Sequence, residues 1–187
     1  MKQLNIGIVG AGRIGNVHAK SITYFIPQAR VVKVTDVVEE SAKRLAETYG
    51  IPSYSTNYMD IIDDPTIDAV LVCSPTPTHA DIAIAAMKAG KHVFCEKPVD
   101  LTIEKIQKTA QVDKETGVKL AQTYSSDGSA SSGGLYIDMM IHDFDMAMFL
   151  AGCDVTEVYA MGTSLVDPRI GQAGDVDTAI VTLTFEN

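Results

Sequence analysis

The run Gly10-Ala11-Gly12-Arg13-Ile14-Gly15 constrains this chain more than any other feature. It follows directly on an apolar stretch, Leu4 to Val9, that has the length of a buried strand. It also opens a helical pattern, Arg13 to Phe25. In that setting a G-x-G-x-x-G run has a mechanism. Gly10 permits a tight turn, Gly12 removes a side chain where a pyrophosphate approaches, and Gly15 lets the helix pack close to the strand. Arg13 and Ile14 fall in the first helical turn, whose N–H groups are donors to an anion. Asp36 ends the next strand-like run, about twenty residues beyond the loop, where a carboxylate accepts from ribose hydroxyls and repels a 2′-phosphate. Together these residues point to a dinucleotide, and to NAD over NADP. A structural turn plus a helix-capping aspartate is the competing reading. It leaves the register of strand, glycines, helix and acid to coincidence.

The same alternation continues down the chain. Val31 to Thr35 reads as a strand, and Glu39 to Tyr49 as a helix closed by Gly50 and Pro52. Ala69 to Cys73 is a strand, and Ala80 to Lys88 a helix ended by Gly90. His92 to Cys95 is a strand, Ile103 to Glu115 a helix ended by Gly117, and Val118 to Ala121 a further strand. Short β-branched strands alternating with helices imply a doubly wound parallel sheet with helices on both faces. The expected fold class is therefore α/β, a Rossmann domain over residues 1–123.

Residues 124–133 are rich in Ser and Gly and read as a flexible linker. Residues 134–187 are expected to form a truncated α+β second domain. It comprises one helix, Leu135 to Leu150, stopped by Gly152, and two strands, Val155 to Val166 and Val176 to Phe185. The connection Asp167 to Asp175 carries Pro168, Gly171 and Gly174 and reads as a loop. Alternate residues Asp177, Ala179, Val181, Leu183 and Phe185 give the last strand one largely apolar face. That face needs a partner, so a homo-oligomer formed through residues 155–185 is expected.

Two further loops fall at strand carboxyl ends, where open α/β sheets bind ligands. Ser74-Pro75-Thr76-Pro77-Thr78-His79 offers hydroxyls at Ser74 and Thr76 to a cofactor. Thr76 or Thr78 can equally cap the next helix, and His79 can be a surface residue at its start. Glu96-Lys97-Pro98 places a braced lysine where it can point into a crevice. A solvated Lys97 paired with Glu96 is the plainer alternative. In the second domain, Asp138 and His142 are four apart and share a helix face, so a carboxylate could orient an imidazole that acts as base. An ordinary polar stripe fits the same spacing. No further ligand cluster accompanies them, so no metal is expected.

Charge narrows the function classes. The 187 residues carry a formal net charge of -9, which argues against phosphate-backbone binding and against a polybasic membrane contact. The chain runs straight into its first strand without a signal-peptide core, and no apolar stretch approaches spanning length. Cys73, Cys95 and Cys153 lack C-x-x-C spacing and read as reduced thiols of a cytoplasmic protein.

The combination of Gly10 to Gly15, Asp36, the Ser74-to-His79 run and Glu96-Lys97-Pro98 resembles the Gfo/Idh/MocA oxidoreductase family. The run Gly133 to Asp145 is similar to that family's second-domain signature. With Gly174-Asp175-Val176-Asp177-Thr178-Ala179, the similarity is greatest to the branch acting on cyclic polyols such as myo-inositol. The resemblance implies NAD as cofactor, bound by Gly10, Gly12, Arg13, Ile14, Gly15, Asp36, Ser74, Thr76, His79, Glu96 and Lys97. It also implies a catalytic triad of Lys97, Asp138 and His142. In it His142 takes the hydroxyl proton, Lys97 stabilises the developing alkoxide, and Asp138 orients His142.

The resemblance breaks at two places. Family members carry several tens of residues where this chain has the Ser-rich stretch, and they continue beyond Asn187. The chain therefore reads as a shortened member, and the expected activity is hydride transfer between a polyol carbon and NAD. The alternative is a catalytically weak NAD-binding module, a truncated or engineered scaffold. A redox-sensing regulator ranks last, since no basic DNA-reading element is present.

Overall fold

The computed structural model describes residues 3–118, 120–123 and 134–186, which fall in two compact units, residues 1–123 and 124–187. The expected linker, 124–133, lies outside the described residues.

In the first unit, six strands pair in parallel. In chain order they are β1 (Leu4–Val9), β2 (Ala29–Thr35), β3 (Ser53–Ser55), β4 (Ala69–Val72), β5 (His92–Glu96) and β6 (Leu120–Thr123). Their order across the sheet is β3-β2-β1-β4-β5-β6. This is a doubly wound Rossmann arrangement, and its direction of winding reverses between β1 and β4.

The central strands bury side chains on both faces, against two separate cores, and with a register shift in the β1–β2 pair between Ile6 and Gly7, Val31 and Val34 of β2 join the same one. Ile6, Ile8, Val31, Val34, Leu71 and Cys73 pack with Ala19 and Ile22 of helix α1 (Arg13–Phe25) and Leu45 and Ala46 of α2 (Glu39–Tyr49). Val9, Val70, Val72, Val93 and Cys95 pack on the other face. They meet Ile82, Ala83, Ala86 and Met87 of α4 (His79–Lys88), Val112 of α5 (Ile103–Thr116), and Ile61 and Ile62 of α3 (Met59–Ile62). Gly15, Ala19 and Ile22 on α1, Ala42, Leu45 and Ala46 on α2, and Ala83, Ala86 and Met87 on α4 follow the three- and four-residue spacing of a buried stripe. Opposite the carboxyl edge, Lys91 is 5% exposed, and its amine donates to the carbonyls of Asp64 (2.6 Å) and Ile67 (2.9 Å). Burial pushes the pKa of that amine down.

Sequence reading missed β3 and α3. Three residues, Ser53-Tyr54-Ser55, are too few to show alternation, and only pairing with Lys33 to Thr35 makes them a strand. The last strand of this sheet starts later than expected, at Leu120.

The second unit opens with a π-turn, Leu135–Met139, that leads into α6 (Ile141–Ala151), ended by Gly152 at φ 69°. Then come β7 (Val155–Thr163), α7 (Pro168–Gln172) and β8 (Thr178–Phe185). β7 and β8 pair antiparallel, with Met161 opposite Ile180. The expected loop between these strands contains α7. Asp167 caps it through a bond from the Arg169 N–H (2.9 Å), and Pro168 stands in the first turn, a start signal present in the sequence. Asp177 fastens the same connection by accepting from the main-chain N–H groups of Asp167 (2.8 Å), Leu165 (2.8 Å) and Val166 (3.0 Å). Those donors hold its carboxyl well below the usual range.

Candidate functional site

Because the sheet is parallel, the ends of β1, β2, β4 and β5 open onto one edge. That edge gathers Gly10 to Gly15, Asp36, Ser74 to His79 and Glu96 to Pro98. At the point of reversal the loops after β1 and β4 touch. Gly10 has φ 101°, and a Cβ there would meet the Cys73 carbonyl and the Ser74 amide (2.7 Å). Both the backbone angle and the contact require glycine. A Cβ on Gly15 would strike the Gly10 carbonyl oxygen, so α1 lies against the loop only without a side chain there. Gly12 differs, because its Cβ direction is open. It is the N-cap of α1 and brings no side chain to the first-turn donors.

Asp36 joins this loop to the end of β2. Its Oδ2 accepts from the Ala11 N–H (2.8 Å) and its Oδ1 from the Val38 N–H (2.9 Å). Beside it opens a cavity of about 460 Å³ lined in part by Gly12, Arg13, Asn16, Ser41 and Arg44. A cradle open at Gly12, first-turn donors at Arg13 and Ile14, and a fixed carboxylate at Asp36 fit the pyrophosphate and ribose of a dinucleotide.

The loop after β4 differs from expectation. Two of its hydroxyls bond within the loop, with Ser74 and Thr78 2.7 Å apart and Thr78 donating to the Pro75 carbonyl (2.7 Å). Thr78 occupies the N-cap position of α4 without a side-chain cap bond, and Thr76 is buried in a single 3-10 turn, Thr76–Thr78. His79 is not a surface residue. It is 2% exposed, with Nδ1 2.8 Å from the Pro98 carbonyl and Nε2 2.6 Å from the Ser74 carbonyl.

The Glu96-Lys97-Pro98 segment is also buried, and the Lys97–Pro98 peptide is cis. A solvated lysine is thereby excluded, since Lys97 is 8% exposed. Glu96 bonds through Oε1 to Nε2 of His18 on α1, at 2.6 Å. The His18 ring stands edge-on to Phe94, 5.3 Å between centroids. His18 escaped sequence reading, because nothing local ties it to a residue 78 positions away. The one available signal was parity: Phe94 and Glu96 project to the sheet face that α1 covers.

Cys73 and Cys95, near Glu96, are buried free thiols. Desolvation, reinforced by the Glu96 charge, pushes both up, Cys95 to about 12, so neither is poised as a thiolate.

In the second unit, His142 lies in the first turn of α6 and is half-buried. Asp138 falls within the π-turn, and its side chain lies outside the described residues. The expected regular helix through both residues is corrected: the Met140 N–H reaches back to the Leu135 carbonyl (2.9 Å), a wider turn than α. Among the described residues no His, Cys, Asp and Glu cluster could hold a metal, and no helix is long and apolar enough to cross a membrane.

Comparison with known proteins agrees with this geometry. Residues 4–124 match the Gfo/Idh/MocA oxidoreductase family, NAD-binding Rossmann fold, and residues 109–187 match the Gfo/Idh/MocA C-terminal domain. The chain is 36% identical to a myo-inositol 2-dehydrogenase of Thermotoga maritima over 220 residues, 98% of this chain and 66% of that protein. It is 32% identical to a scyllo-inositol 2-dehydrogenase (NAD(+)) of Bacillus subtilis, over 99% of this chain and 65% of that protein. A scyllo-inositol dehydrogenase from Lactobacillus casei, solved with NAD(H) and scyllo-inositol, superposes with a TM-score of 0.90 at 30% identity, over 99% of this chain and 67% of that one. The chain spans 64–66% of the length of the curated relatives it matches over its whole extent.

Proposed function

The chain belongs to the Gfo/Idh/MocA family of NAD-binding oxidoreductases, and from that premise we propose that it oxidises a ring hydroxyl of an inositol-like polyol. One observation carries the reading: Lys97 is held, nearly buried, at the same sheet edge as the glycine cradle and Asp36. A buried ammonium at the cofactor edge suits an oxygen that gains negative charge during reaction.

Gly10, Gly12, Gly15 and the first turn of α1 receive the pyrophosphate, and Asp36 accepts from the adenosine ribose and disfavours a 2′-phosphate. Ser74, Thr76 and His79, with Glu96 on the next loop, would hold the nicotinamide half of the cofactor. NAD⁺, when bound, would supply the acceptor for the hydride leaving the carbinol carbon. His142 removes the hydroxyl proton, with Asp138 setting its ring orientation, while the Lys97 amine stabilises the oxygen as it becomes an alkoxide and then a carbonyl. The relatives' names support a polyol substrate, and reduced thiols at Cys73 and Cys95 support a cytoplasmic setting. We further propose a homo-oligomer built through residues 155–185, supported by exposed Tyr159, Met161 and Ile180 on one face of the β7–β8 pair.

An absorbance assay for NADH with myo- and scyllo-inositol tests the reading. Turnover is expected, falling about a hundredfold or more in Lys97→Met and in His142→Ala. Calorimetry should find NAD binding little changed in His142→Ala. Full activity in both variants overturns the assignment, and NAD binding without any turnover identifies a cofactor-binding module instead.

A further inference from the structure

We propose that His18 and His79 are positioning residues that clamp the Glu96-Lys97-Pro98 tripeptide from two sides and so fix the Lys97 amine. The inference rests on the reading of Lys97 given above; it brings in His18 and gives His79 the further task of holding the lysine.

The tripeptide needs such a clamp because the β5 ladder ends at Glu96, so Lys97 and Pro98 lie beyond sheet pairing. A lysine side chain also has four rotatable bonds, so the placement of its amine depends first on how firmly the backbone that carries it is held. Two contacts supply what the sheet does not. On the α1 side, His18 Nε2 sits 2.6 Å from the Glu96 carboxylate, a short bond of the charge-assisted kind, and the His18 ring is steadied by the Phe94 edge. On the α4 side, His79 Nδ1 reaches the Pro98 carbonyl, and its Nε2 reaches the Ser74 carbonyl of the neighbouring loop. Carbonyl oxygens only accept, so a neutral His79 ring donates to one of them and an imidazolium to both. The residues on either side of Lys97 are thus each tied to a different helix. His79 also ties the lysine-bearing loop to the loop at the nicotinamide end.

A merely structural role predicts general loosening when either histidine is lost. The clamp predicts loosening at Lys97 alone. Lys91 separates the two, being similarly buried at the opposite edge of the same sheet. The test is trace acetylation of the whole protein, read by mass spectrometry at each lysine, in His18→Leu, His79→Leu and His18→Gln. Labelling of Lys97 should rise about tenfold in both Leu variants through local opening, with Lys91 unchanged. His18→Gln should restore protection, because its amide still donates to Glu96. With NAD and the inositol substrate, kcat should fall about tenfold to a hundredfold in both Leu variants, and in His18→Leu, a residue outside the cofactor set, KM for NAD should stay within twofold, as expected when a catalytic group is misplaced by about an ångström. Unchanged Lys97 labelling, or Lys91 rising in step with Lys97, overturns the clamp. Turnover unaffected by Lys97→Met sinks the functional reading alone, since the labelling still reports whether the histidines hold the tripeptide.

Discussion

In residues 3–123, β1, β2 and β4 bury side chains on both faces, and Ile8, Val34, Val70 and Val72 have no exposed surface. In residues 134–186, none of the described side chains is buried, and Val158, Tyr159, Met161 and Ile180 are each more than 60% exposed. One unit covers its sheet with helices on both sides; the other is a helix and a two-stranded sheet, too little surface to enclose a core. The difference separates two kinds of site residue. Groups on the first unit are set by packing that the unit itself supplies. Groups on the second, His142 among them, belong to a scaffold whose own core is thin.

The sharpest way to break the first half of this comparison is to add one methyl group where the unit is tightest. In Gly15→Ala the new Cβ falls on the Gly10 carbonyl oxygen, a main-chain atom that cannot swing aside. Overpacking of this kind costs about 1–3 kcal/mol. Urea unfolding should register that loss, and calorimetry should find NAD binding weakened by more than about tenfold as α1 withdraws from the loop. Gly12→Ala is the control: with nothing within 4 Å of its Cβ, its effect on stability should be small even if binding suffers. Equal destabilisation by both would mean that the cradle is not rigid.

A smaller effect is expected at Asp36, where packing is not at stake. Its carboxylate already accepts from Ala11 and Val38, so Asp36→Ala loses two loop bonds along with the charge. Removing the charge should narrow the preference for NAD over NADP by about fivefold, since a single screened charge is worth roughly 1 kcal/mol at contact. Paired titrations with NAD and NADP measure it, and a wild type that binds NADP as tightly as NAD refutes the role given to Asp36.

How much was legible follows the same division. The register of glycines, strand and helix could be read because each is a local necessity: Gly10 and Gly15 are demanded by φ and by contacts within a few residues or across one strand pair. His79 was seen as a cofactor-loop residue, with an exposed place at a helix start as the alternative, but its depth in the fold could not be read. Its burial depends on Pro98, nineteen residues on. His18 was invisible for the same reason at longer range. The helix through Asp138 and His142 was legible as a helix. Its π-turn was not, because one extra residue in a turn leaves no mark on hydrophobic periodicity. The apolar face was half right. Ala179, Val181, Leu183 and Phe185 are partly covered, whereas the opposite face, with Tyr159, Met161 and Ile180, is the open one.

That open face yields the last test, the one with the least effect on the folded chain itself. Met161 and Ile180 stand opposite each other across the β7–β8 pair, and Tyr159 shares their face two residues along. Charging both at once with Met161→Lys and Ile180→Glu places opposite charges on a cross-strand pair, which keeps the hairpin's own pairing favourable. Since both positions are more than 60% exposed, stability of an isolated chain should move by no more than about 0.5 kcal/mol. Association is another matter, because an ion pair buried against an apolar partner surface loses its water at a cost that its own attraction repays only in part. Light scattering at micromolar concentration should therefore find a dimer or larger for the native sequence and a monomer for the double variant. A native chain that scatters as a monomer removes the oligomer from the proposal. A double variant that still associates moves the interface off this face, and α6, with Phe149 and Leu150 more than 70% exposed, becomes the next surface to charge.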